Sequence, residues 1–112
     1  MVTKMTKTVN GQSVPFLFGV RAFEIIGNCI DEQAVSKIAQ AISTPSIKVM
    51  TYILYAGHEN ACFYDKTNPI YNSPEEMYNV IDEIGITEAT EIYNKALLSF
   101  MSKSETQTAK KK

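Results

Sequence analysis

The stretch Thr44–Asn60, T-P-S-I-K-V-M-T-Y-I-L-Y-A-G-H-E-N, predicts one helix that is apolar on almost every side. Thr44 offers a hydroxyl to the free N–H groups of a first turn, and Pro45 has the φ angle that suits the first helical position. Gly57 is expected to end the helix. Because only a narrow strip of this helix is polar, most of its surface must be covered by other elements. The helix is therefore expected to form the centre of the fold.

The apolar run of this helix is shorter than the roughly 20 residues that cross a bilayer. We therefore expect its cover to come from the protein itself or from a partner, and we expect no membrane contact. Lys48 and Thr51 form its narrow polar edge. Ile53 and Leu54 are predicted to lie in the core.

Composition places the chain among ordinary globular proteins, with 112 residues, 45% hydrophobic and 21% charged. We predict one small helical domain over residues 1–103. Met1–Lys7 is polar and basic with no apolar run behind it, so no signal peptide is predicted and a cytoplasmic location is expected. Cys29 and Cys62 are too few for a disulfide framework and are expected to be free thiols.

Charge is distributed unevenly. Residues 1–101 hold seven Lys or Arg against eleven Asp or Glu, about −4, whereas residues 102–112 hold four Lys against one Glu, +3. An acidic body without a basic stripe argues against nucleic-acid binding. The segment 104–112 has almost no apolar residue, so we expect it to be a disordered basic tail.

A β-hairpin is predicted at the N-terminal end, because Thr6–Val9 and Gln12–Phe16 flank Asn10-Gly11, the pair typical of a type I′ turn. From Val20 the apolar period changes to three and four, which predicts an amphipathic helix to Ile30. Gly27 within that helix indicates a close backbone approach. Further apolar residues are expected to face inward along both elements: Val9, Val14, Phe16, Phe18, Ala22, Phe23, Ile26, Cys29 and Ile30.

Three further helices are predicted around the central one. Asp31 is expected to cap the second helix, whose apolar residues are Ala34, Val35, Ile38, Ala41 and Ile42. Ser73-Pro74-Glu75-Glu76 predicts a capped helix that Gly85 ends. Thr87 is expected to cap the last helix. The predicted fold is mainly α: an N-terminal hairpin followed by about five helices packed around the central apolar helix.

An irregular stretch is expected after the central helix, and it carries Phe63, Tyr64, Ile70 and Tyr71. One interpretation is that these four residues fold back on the core; the other is that they form a partner-contact surface. Together with five apolar or amphipathic elements in a short chain, they lead us to expect homo-oligomers.

No enzymatic site, cofactor site or metal site is predicted. His58 and Cys62 have the spacing of a pair on one continuing helix, but a helix that ends at Gly57 would separate them, and no third group is specified to orient them. The carboxylate pairs Glu75-Glu76 and Asp82-Glu83 are expected on solvated helix faces. No phosphate-binding glycine loop, calcium loop or zinc spacing occurs.

The order of three segments resembles the small tail assembly chaperones of tailed phages and prophages. These are the Asn-Gly hairpin leading into V-P-F-L-F-G-V-R-A-F, the central Y-I-L-Y-A-G-H-E-N-A, and S-P-E-E-M-Y-N-V-I-D-E-I-G. The likeness covers residues 6–85. It departs from the family in the aromatic stretch Phe63–Tyr71, which is longer than expected.

The resemblance implies a protein without enzymatic activity that binds and shields the tape measure protein and contacts the tail tube protein. Such a chaperone acts in the host cytoplasm and is absent from the finished virion. The alternatives are a small structural or connector-type adaptor of the virion and an unrelated helical interaction domain.

Overall fold

The computed structural model describes residues 3–101, and within them a hairpin precedes five α-helices. Strands β1 (Thr3–Val9) and β2 (Gln12–Phe18) pair antiparallel. The helices are α1 (Val20–Ile30), α2 (Val35–Ile42), α3 (Ile47–Asp65), α4 (Met77–Ile84) and α5 (Ile86–Met101). The predicted mainly α class is confirmed. The predicted tail, residues 104–112, lies outside the described residues.

The hairpin turns at the predicted dipeptide, with positive φ angles at Asn10 (53°) and Gly11 (76°). Positive φ at both central residues defines the type I′ turn, whose twist matches that of the strands. Both strands are longer than predicted, since β1 starts at Thr3 and β2 ends at Phe18. The inward residues Val9, Val14, Phe16 and Phe18 are buried, as predicted.

Pro15 is accommodated in β2 by its register. Val9 and Gln12, which flank the two-residue turn, form a hydrogen-bonded pair, and from there every second pair along the strands is hydrogen-bonded. Pro15 lies opposite Thr6 in one of the pairs that are not hydrogen-bonded. The missing N–H of proline therefore removes no bond to β1. The Pro15 carbonyl points to the free edge of the strand.

Helix α3 is the centre of the fold and packs against β2, α1, α4 and α5. It begins at Ile47, and its N-cap is Ser46, whose Oγ accepts from the Val49 N–H at 3.1 Å. The prediction that Thr44 and Pro45 start the helix was therefore wrong by two residues, because the serine hydroxyl supplies the cap.

The prediction that Gly57 ends the central helix was also wrong, since α3 continues to Asp65. A Cβ at position 57 would lie 2.4 Å from Cε1 of Phe18. Gly57 is present so that the helix backbone can approach the aromatic ring, and a helix interior tolerates glycine at a cost of about 1 kcal/mol. The helix ends instead at Lys66, which has φ 59°.

The close backbone approach predicted at Gly27 is confirmed, and it lies between α1 and the loop to α2. A Cβ there would lie 2.6 Å from the Glu32 carbonyl oxygen. Asp31 does not cap α2: it ends α1 with φ 59°, and α2 starts after Ala34. The short α2 buries Ile38 and Ile42 only, whereas its other apolar residues were predicted to be inward as well.

Helices α4 and α5 close the fold. Pro74–Glu76 forms a 3₁₀ turn, and α4 begins only at Met77. The Glu76 carboxylate still accepts a backbone N–H, that of Asn72, at 3.0 Å. Gly85 ends α4 with φ 92°, as predicted. Thr87 is not a cap, because it lies inside the first turn of α5.

The core collects residues from the hairpin and from every helix. Ile53 and Leu54 are buried, which confirms their predicted position. The Tyr93 hydroxyl donates to the Ile42 carbonyl at 2.7 Å and so joins α5 to the end of α2. The Phe100 ring meets Phe18 edge-on.

Candidate functional site

The predicted contact residues lie on two different structural elements. Phe63 and Tyr64 belong to the last turn of α3 rather than to an irregular stretch, and they are 55% and 60% exposed. Ile70 and Tyr71 lie in the following loop, where Ile70 is exposed and Tyr71 packs against the core. The structure therefore divides the predicted surface into two pairs.

Phe63 and Tyr64 form an aromatic pair on the protein surface. Their rings meet edge to face, with centroids 5.4 Å apart. The guanidinium carbon of Arg21 lies 3.8 Å from the centre of the Phe63 ring. Such a cation–π contact contributes about 0.5–1 kcal/mol at an exposed site, so Arg21 restrains the ring while leaving much of it open to a partner.

Val20 extends this aromatic pair onto α1. It is 88% exposed and shares a groove of about 440 Å³ with Tyr64 and Leu17. We call Val20, Phe63 and Tyr64 the aromatic surface. The Lys4–Asp65 ion pair, at 3.1 Å, also borders this groove. An apolar surface rimmed by charges is typical of a protein contact site.

Val20 was predicted only as the start of a helix. The exposure of Val20 is indicated by its position in the helix. Val20, Glu24 and Asn28 follow one another at four-residue spacing and share one face of α1, on which the other two residues are polar. The structure exposes all three residues.

The loop residues Ile70 and Tyr71 are held by His58. The Nε2 atom of His58 accepts the Ile70 N–H at 3.0 Å, and the His58 and Tyr71 ring centres are 5.2 Å apart. On the other side of the ring, Nδ1 lies 3.0 Å from the Pro15 carbonyl oxygen. A carbonyl can only accept, so Nδ1 carries the proton and His58 links β2 to the loop.

His58 and Cys62 are one helical turn apart, because α3 continues through Gly57. Cys62 Sγ lies 3.5 Å from Nε2, and both residues are buried. The lone pair of Nε2 is already used by the Ile70 N–H, and the other ring nitrogen is bonded to Pro15. Burial lowers the pKa of His58 from its usual 6.5. This arrangement describes a structural histidine, with no free nitrogen to take a proton from the thiol.

Asn60 supports β2 in the same way as His58. Its Nδ2 donates to the Leu17 carbonyl at 2.8 Å, and its Oδ1 has no partner among the described residues. Together, His58 and Asn60 bond to carbonyls at the outer edge of a two-stranded sheet. Covered edges resist pairing with other chains, so this edge of β2 is not offered to a partner strand.

Burial also shifts the pKa of other side chains between residues 3 and 101. Burial, and then the Glu59 carboxylate, raise the pKa of Cys29 to about 11, so its thiol stays protonated. Burial and the hydrogen bond to Glu59 raise the pKa of Tyr55 to about 12. Between residues 3 and 101, no three His, Cys, Asp or Glu side chains are grouped as a metal ion would require.

None of the helices in the described part of the chain has both the length and the apolar character needed to cross a membrane. Comparison of the sequence with protein-family models, and of the chain with curated proteins and solved structures, finds no match. The aromatic surface is the candidate functional site, and it is identified from the geometry of the described residues alone.

Proposed function

We propose that this protein is a tail assembly chaperone of a tailed phage or prophage. It binds and shields the tape measure protein and recruits the tail tube protein during tail assembly. It acts in the host cytoplasm and leaves before the virion is finished. The observation that carries the proposal is the aromatic surface: two rings more than half exposed at the end of the central helix, beside Val20.

The size of the aromatic surface suits a reversible contact. A Phe or Tyr side chain buries about 150–250 Å², and about half of each ring is open here. At about 25 cal/mol per Å², covering both rings contributes about 5 kcal/mol before the costs of association. A contact of this strength holds an apolar helix face and still allows tail tube subunits to displace the chaperone.

The physical role of the chaperone is to cover exposed helix faces. A long helical tape measure protein exposes apolar residues until the tube surrounds it. Apolar side chains spaced three and four residues apart on a helix of that protein can pack against an apolar surface of the chaperone. Phe63 and Tyr64, with Val20 beside them, offer a compact apolar contact whose Phe63 ring is already restrained by Arg21.

Co-expression with the tape measure protein of the same genome tests the proposal. The chaperone is expected to raise the amount of tape measure protein in the soluble fraction and to purify with it. The double variant Phe63→Ser/Tyr64→Ser should lose both effects. Tyr78→Ser on α4 is the matched control, because Tyr78 is 40% exposed and lies outside the aromatic surface.

Two results would contradict the proposal. One is equal solubility of the tape measure protein with and without the chain. The other is stoichiometric presence of the chain in purified virions by mass spectrometry, which would favour a structural adaptor.

A further inference from the structure

A second open surface lies between α1 and α2, and it shares Val20 with the aromatic surface. It is a groove of about 410 Å³, which we call the α1–α2 groove. Its lining residues come from both helices and from the loop that joins them: Val20, Phe23, Glu24, Asn28, Glu32, Gln33, Val35 and Ile38.

The groove is apolar inside and at its mouth. Ile38 is buried and Phe23 is half-buried, with the Phe23 ring 5.4 Å from that of Phe100. Val20 and Val35 are 88% and 69% exposed. Helix α2 makes its main contacts with α1, so one side of the pair is left without cover.

The polar part of the groove is acidic. Glu24 and Glu32 are among its lining residues, and none of the eight is Lys or Arg. Neither carboxylate forms an ion pair within residues 3–101, whereas Asp65 and Glu88 are paired with Lys4 and Lys7. Two unpaired carboxylates beside an apolar floor favour a ligand that is both apolar and cationic.

We propose that the α1–α2 groove docks an amphipathic helix of another protein, one whose apolar face is flanked by Lys or Arg. A helix fits such a groove with apolar side chains at three- and four-residue spacing. Its cations would meet Glu24 and Glu32.

This inference concerns a surface and a partner chemistry that the proposed function does not specify. If the proposed function holds, the groove gives the chaperone a second contact. If the proposed function fails, the inference still follows from the residues that line the groove. The two are tested by different variants: the double Phe63/Tyr64 change for the function, and changes at Glu24, Glu32 and Val35 for the groove.

Titration of the full chain with two designed helical peptides tests the groove. Both peptides carry the same Leu pattern, one with Lys and the other with Glu at the flanking positions. By fluorescence anisotropy, the Lys peptide should bind roughly tenfold or more tightly than the Glu peptide, and its affinity should fall as salt is added.

Charge reversal separates a docked helix from general attraction to an acidic protein. Glu24→Lys/Glu32→Lys should weaken the Lys peptide by roughly tenfold or more. Asp82→Lys/Glu83→Lys makes the same change of net charge on α4 and should leave its affinity within about twofold. Val35→Ser should also weaken binding, since it removes apolar contact.

Three results would overturn the inference. These are equal binding of the two peptides, equal weakening by the two charge reversals, and a chain dimer that Val35→Ser dissolves. Glu24→Gln/Glu32→Gln covers the case in which the reversed variant fails to fold, since it removes charge with little change of shape. Circular dichroism of every variant checks that the helices are intact.

Discussion

The contact of α3 with β2 and the groove between α1 and α2 differ in how their apolar and polar groups are placed. The first is closed, with buried apolar groups and bonded polar groups, whereas the second is open. At the first, Gly57 lets the helix approach Phe18, and His58 and Asn60 bond to the strand's outer carbonyls. At the second, Val20 and Val35 are exposed, and Glu24 and Glu32 form no ion pair with any residue between 3 and 101.

The difference shows which surfaces hold the fold and which are available to a partner. A closed contact contributes stability because apolar area leaves water and polar groups keep their bonds. The exposed residues of an open groove contribute little stability, and for the same reason they can change at small cost to the fold. Binding and stability should therefore respond to different substitutions.

Leu54→Ala is expected to have the largest effect on stability. Leu54 is buried inside α3, so its loss should cost about 2–5 kcal/mol of the free energy of unfolding. Val35→Ala, at the groove, should cost less than about 0.5 kcal/mol. Urea unfolding of both variants measures the contrast, and similar values for the two would refute it.

Gly57→Ala should destabilise by about 1–3 kcal/mol, because the new methyl group would overlap Phe18. Helix propensity alone predicts the opposite sign, a gain of about 1 kcal/mol. Thermal unfolding decides between them. Adding Phe18→Leu should make Gly57→Ala less costly than it is in the natural background, and strict additivity of the two changes would argue against this contact.

Stability should decline as the pH falls below about 6.5. Burial lowers the pKa of His58, so the unfolded chain binds its proton more readily than the folded one. The contribution is constant above about pH 7.5 and is lost progressively as pH falls through 6.5 toward the lower folded pKa. Protonation of Nε2 would also break its bond to the Ile70 N–H.

The control is simple because the chain has one histidine. His58→Gln should remove the pH dependence between about pH 5.5 and 7, where no other side chain has its usual pKa. Unfolding curves across this range test both proteins. A natural protein with a flat profile would show that His58 is not buried in its neutral form.

Changes in the aromatic surface should have a small effect on stability. Phe63→Ser/Tyr64→Ser should lower the free energy of unfolding by about 1 kcal/mol, because it removes the contact between Arg21 and the Phe63 ring. The same double variant should reduce the self-association that we expect at micromolar concentration. Light scattering measures it, and a natural protein that is monomeric throughout would contradict the expectation of oligomers.

Local signals were predicted well where one residue has one physical role. Asn10-Gly11 predicted the hairpin turn, and Gly85 predicted the end of α4. In each case the backbone needs positive φ angles, which these residues adopt. Signals with two roles were assigned wrongly. Gly57 serves close packing rather than a helix end, and Asp31 adopts positive φ at the end of α1 rather than capping α2.

The candidate site was predicted in part. Phe63 and Tyr64 were selected by their apolar character, and both are exposed on one helix end. Tyr71 packs against the core instead, since His58 holds its loop. Val20 and the α1–α2 groove were missed, because a groove depends on how two helices are placed and not on the pattern of either one.

The amino-acid sequence by itself determined the mainly α class, the hairpin turn and the buried face of the hairpin, since turn chemistry and apolar period act over a few residues. Tertiary structure alone decided that α3 continues through Gly57 to Asp65. It also placed Pro15 against His58, 43 residues away. Contacts over such distances depend on the packing of whole elements, which no local pattern specifies.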